Sequence, residues 1–94
     1  MELPLELEAQ VLVAAAEIAK RTNDREEALG LYGKALTALE SAHGEQSMEV
    51  AIVCMDIAEL LEQSGQQRQA EKYLKRMRAI VNFQKHGCIE PSPS

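Results

Sequence analysis

The chain has little with which to build an aromatic core: no Trp, one Phe and two Tyr in 94 residues. Burial must therefore come from Ala, Leu, Val, Ile and Met, which favour helices packed closely against one another. Alternation of β-branched residues is absent, and that argues against strands. No apolar run nears the roughly 20 residues needed to span a bilayer. The acidic opening MELPLELEAQ has neither the basic segment nor the apolar stretch of a secretory leader, so a soluble, cytosolic protein is expected. Two cysteines, Cys54 and Cys88, are too few and too far apart for a disulfide framework or a zinc site. His86 and Cys88, even with distant His43, fall short of the four ligands a structural metal site requires. No Gly-rich phosphate loop, no HExxH and no nucleophile beside a plausible base is present, and Glu17, Asp56 and Glu59 lack His or metal partners. A non-enzymatic protein without cofactor or metal is the expectation.

What the chain does have is internal repetition. Residues 9–50 lay onto residues 51–92 at an offset of 42 without gaps, placing Ala16 on Ala58, Ile18 on Leu60, Ala28 on Ala70, Leu31 on Tyr73, Tyr32 on Leu74 and Leu39 on Val81. A repeat of this length with two helices per unit is the signature of a stacked helical array, in which each hairpin buries its apolar face against its neighbours.

The spacing predicts four helices. The first runs from about Pro4 to Arg21, since Pro is tolerated in a first turn and Glu6 and Glu8 suit the positive end of the helix dipole. Its stretch Val11–Ala16 is apolar almost all round, which implies burial on more than one face. Thr22-Asn23-Asp24 makes a turn, and Asp24 caps a second helix with Glu27 at the capping-box position, ending near His43 before Gly44. Ser47 caps a third helix that stops at Ser64-Gly65, and a fourth runs from about Gln67 to His86, where Gly87 can end it. Short turns force antiparallel hairpins. The domain is expected over residues 1–87, with repeat one over about 9–50, repeat two over about 51–86, and residues 88–94 as a polar, Pro-rich flexible tail in which Ser92-Pro93 offers a phosphorylation site.

With a small residue in the first helix of each unit and small, bulky and small residues in the second (Ala16, Ala28, Tyr32, Ala35; then Ala58, Ala70, Leu74, Met77), the chain resembles the tetratricopeptide repeat family. The 42-residue period is similar to that of the kinesin light chain type. The resemblance implies an all-α fold of two tandem helix-turn-helix hairpins, a right-handed α-solenoid fragment, acting as a scaffold or adaptor that binds a protein or peptide. Two units are fewer than the three or so an independent array requires, so either a longer array or another chain is expected to complete the structure.

In this family the first helix of each repeat lines a groove. The matching positions are Gln10, Val13, Ala14, Glu17, Lys20 and Arg21, then Ile52, Met55, Asp56, Glu59, Glu62 and Gln63. Such a groove is apolar at its centre and acidic in its second half, which suits a partner with basic and apolar side chains. A plainer reading makes Asp56, Glu59 and Glu62 a solvated face and Ile52 and Met55 core. The Lys and Asn set with which some members clamp a terminal carboxylate is missing, because Val13, Ala14, Glu17, Met55, Asp56 and Glu59 stand there. The Asn positions that hold a cargo backbone in light chains are Ala14 and Asp56.

Charge offers a second surface. Residues 1–66 carry 13 acids and 4 bases, whereas residues 67–86 carry 6 bases and 1 acid. Arg68, Lys72, Lys75, Arg76, Arg78 and Lys85 give helix four a basic outer face that could meet anionic lipid, RNA or an acidic protein. The acid-rich remainder and the lack of interleaved aromatics argue against nucleic acid and membrane. A further alternative is a structural subunit that self-associates through exposed apolar faces of helix one or helix four, as a homo-oligomer or within a larger complex.

Overall fold

The computed structural model describes residues 4–87. It contains four helices in chain order: α1 Leu5–Arg21, α2 Arg25–His43, α3 Met48–Gln63 and α4 Gln67–Gly87. No strand occurs among the described residues. Residues 88–94, and with them the tail, Cys88 and Ser92-Pro93, lie outside the described residues.

Local chemistry fixes the boundaries. A carboxylate oxygen of Asp24 accepts from the Glu27 backbone N–H at 3.3 Å. Ser47 Oγ accepts from the Val50 N–H at 3.2 Å. The starts of α2 and α3 each have one otherwise unpaired amide satisfied in this way. Gly44, at φ 92° and ψ 161°, breaks α2 in a region open essentially to glycine alone. Asn23 takes the left-handed conformation in the α1–α2 turn, at φ 67°.

The helices pack as a string: α1 on α2, α2 on α3, α3 on α4. The result is a slab with extents of 48 × 40 × 16 Å and a radius of gyration of 14.5 Å. A compact domain of this length has a radius of about 12 Å, so the chain is laid out as an array rather than wrapped around one centre.

Alanine makes the close contacts possible. Ala16, Ala28, Ala35, Ala58 and Ala70 are all buried, and Tyr32, Leu60 and Ile80 fill the space between helices. Cys54 is buried as a free thiol whose pKa is raised, first by that burial.

Burial of α1 on more than one face does not occur among the described residues. Only Ala9, Ala16 and Ala19 of this helix are buried, while Leu7, Val11 and Ile18 stand exposed. The reason is topological: α1 has one helix packed against it, and α3, the corresponding helix of the second unit, has two.

Candidate functional site

The surface shared by α1 and α3 carries two adjoining hollows. The first, about 290 Å³, is lined by Ala9, Gln10, Val13, Ala14 and Glu17 of α1, Leu39 of α2, and Glu49, Ile52 and Val53 of α3. Its walls are mainly hydrocarbon. The second, about 250 Å³, is lined by Glu17, Lys20, Arg21, Tyr32 and Asp56. Glu17 borders both, so the apolar hollow runs directly into the charged one.

Helical spacing accounts for the shared surface. Gln10, Val13, Ala14, Glu17, Lys20 and Arg21 recur at three- and four-residue steps and so occupy one stripe of α1. Ile52, Asp56 and Glu59 do the same on α3, and Lys20 Nζ reaches Glu59 across the two helices at 3.1 Å. The floor comes from α2, through Leu39 and Tyr32.

The charged hollow is under electrostatic tension. Burial raises the pKa of Asp56, Lys20 pulls it back down, and Glu59 and Glu17 push it up again. The same surroundings act on Tyr32, which is 1% exposed. Its phenol is pushed up to about 12 by burial, with Asp56, Glu17 and Glu59 adding to the effect. The carboxylates of Glu17, Asp56 and Glu59 thus share this end of the surface with the cations of Lys20 and Arg21. A partner's cation entering here would relieve repulsion already present.

Three of the α3 candidates stand outside both hollows. Met55, Glu59 and Glu62 share the three- and four-residue spacing of Ile52 and Asp56 but line neither hollow, and Glu59 is tied to the charged one through Lys20. Ile52 and Met55 are about half exposed, so the plainer assignment of both to the core is incorrect. The buried rows of α3 are taken by Val50, Val53, Ile57 and Leu60, and by Ala51, Cys54, Ala58 and Leu61. Leu39, Val53 and Tyr32 line the hollows although their sequence pattern marks them only as core; a floor residue is both.

Helix four needs a correction at one position. Arg76 does not belong to a free basic face, because its guanidinium donates to Glu40 of α2 and is one-third exposed. Its contact ties the two second helices of the repeats together. Arg68, Lys72 and Lys75 are exposed on α4, and Arg78 pairs on the surface with Glu71 at 3.2 Å. No described helix is long and apolar enough to cross a membrane.

A family model described as a tetratricopeptide repeat matches residues 7–82, a span that reaches into all four helices. The match is to the repeat in general and does not single out the kinesin light chain type. Comparison with curated proteins returned no match, and comparison with solved structures returned none either.

Proposed function

The chain belongs to the tetratricopeptide repeat family, and from that premise we propose that it is a non-enzymatic adaptor that binds a basic, apolar peptide segment along the α1–α3 surface. Repeats of this family generally mediate protein–protein interaction. The observation that carries the finer reading is the adjacency of the two hollows. A segment with an apolar side chain in the first and a Lys or Arg in the second meets hydrocarbon with hydrocarbon and a cation with Glu17 and Asp56. Gln10, Val13, Ile52 and Glu59 border this path, and Lys20 holds Glu59 in place. Because the floor is built from core residues on rigid helices, the surface is formed before a partner arrives, which lowers the ordering cost of binding.

The test is fluorescence anisotropy with synthetic peptides that pair Leu or Val with Lys or Arg, against matched peptides bearing Glu. Changing Glu17 and Asp56 to Lys should weaken the basic peptides by roughly tenfold or more with helicity retained. Changing Lys72 and Lys75 to Glu should leave binding in place. Loss confined to the helix-four variant would move recognition to α4 and overturn the proposal.

A further inference from the structure

The 42-residue offset makes the second unit a template for what the first one lacks. In α3, one buried row (Ala51, Cys54, Ala58, Leu61) matches the row by which α1 meets α2, namely Ala9, Leu12, Ala16 and Ala19. It is therefore the row turned toward the partner in its own hairpin, α4. The other buried row, Val50, Val53, Ile57 and Leu60, is left to face α2. Its counterparts in α1 are Glu8, Val11, Ala15 and Ile18. Val53 is 2% exposed and Val11 53%, and Leu60 is 0% exposed and Ile18 61%. Among the described residues, a face that one unit covers with a helix is left uncovered on the other.

The helix that would cover it has a counterpart too. Tyr32, Leu36 and Leu39 form a buried stripe of α2, continued by His43, which lies 3.9 Å from Glu6 of α1; by the offset these four correspond to Leu74, Arg78, Val81 and Lys85 of α4. We propose that a second copy of this chain docks head to tail, laying its α4 on the outer face of α1 as α2 lies on α3. Apolar positions are then matched by apolar ones: Leu74 and Val81 take the places of Tyr32 and Leu39, and Ile18 and Val11 those of Leu60 and Val53. Where the register departs from the template, it departs with opposite signs. Val50 becomes Glu8 on one side of the contact, and Leu36 and His43 become Arg78 and Lys85 on the other. Glu8 on one face and, on the other, Lys85 with Arg78, which pairs with Glu71 of its own helix, favour this contact over a symmetric pairing of two α1 or two α4 faces, which sets like charges together. The contact is heterologous, so it repeats and extends the array copy by copy. It uses a stripe of α1 distinct from the α1–α3 hollows and stands independently of the peptide reading.

Sedimentation velocity over a concentration series is the test. The wild-type chain should form species larger than a monomer at high micromolar concentration, and salt should weaken them. Ile18→Glu blocks the α1 face, and the pair Arg78→Glu with Lys85→Glu blocks the α4 face. All three positions are exposed, and far-UV circular dichroism checks that the helices persist. Each blocked chain should be monomeric alone, with its dissociation constant raised about tenfold or more. Mixed, the two should form a one-to-one dimer that grows no further, since each retains the face the other has lost. Exchanging the charges within one chain, Glu8→Arg with Arg78→Glu, should restore much of the association. A wild-type monomer at every concentration overturns the proposal. So does a mixture that stays monomeric while the wild type associates, because that result assigns the contact to a symmetric pairing.

Discussion

Tyr32 is the residue at which packing and electrostatics meet. It fills the gap between the hairpins and forms part of the floor of the charged hollow, with the carboxylates of Asp56, Glu17 and Glu59 acting on its phenol. Its pKa, pushed up to about 12 from an ordinary 10.0, ties stability to alkaline pH. The folded state holds this proton more tightly than the unfolded chain, so the stabilisation is complete below the ordinary value and is lost as pH rises from about 10 to about 12. Urea midpoints measured across that range should fall, and Tyr32→Phe should flatten the slope. An unchanged slope in the Phe variant would mean the phenol is not the group responsible. Asp56 has the same sign at the other end of the scale. Its raised pKa means that the ionised carboxylate is disfavoured in the fold, so stability declines as pH climbs through its folded value. Asp56→Asn should therefore raise the midpoint at neutral pH, with the gain shrinking as pH falls toward the carboxylate range. The same variant should bind basic peptides less well, which is the expected exchange of stability for function at a binding surface.

At the scale of the helices, the starts and stops are readable from sequence because they depend on neighbours in the chain. Asp24 and Ser47 each bond an amide three residues on, and the turn at Asn23 and the break at Gly44 need only local backbone freedom. Ser47→Ala should cost about 1 kcal/mol through loss of the α3 cap, measured by chemical denaturation, whereas Ser47→Asp should be nearly neutral. Which stripe of a helix is covered is a different kind of fact. Along Val11–Ala16 almost every position is apolar, so periodicity cannot say which face has a neighbour, and the expectation of burial on several sides failed there. The Arg76–Glu40 contact was hidden for the same reason: it joins residues 36 apart, on helices not adjacent in the chain. The candidate positions on α1 form a continuous stripe because helical spacing is local. Met55 and Glu62 have the same spacing on α3 yet line neither hollow, because where the hollows open depends on how α3 turns against α1 and α2.

The whole molecule is a two-unit array, and each unit taken alone is near the size, about 40 residues, below which a single core rarely holds. Neither hairpin can therefore be expected to stand by itself, and the α2–α3 contact is what makes the pair viable. Among the described residues two ion pairs span the units, Lys20 to Glu59 and Arg76 to Glu40, and the Gln84 amide donates to the Gln46 carbonyl. Both ion pairs are partly exposed, and each contributes at most about 1 kcal/mol. The apolar contact through Leu39, Val50, Val53 and Leu60 must dominate. The chain supplies its own reporters for this. With no Trp, fluorescence comes from Tyr32 in the first hairpin and Tyr73 in the second, and Tyr32→Phe or Tyr73→Phe leaves one reporter per molecule. Both should give the same urea midpoint, coincident with loss of helicity, because the units unfold as one. Leu39→Ala, which empties the contact between units, should lower both midpoints together, by the equivalent of about 2–4 kcal/mol. If only one reporter moves, the hairpins unfold separately, and the stability of each resides in its own pair of helices rather than in their junction.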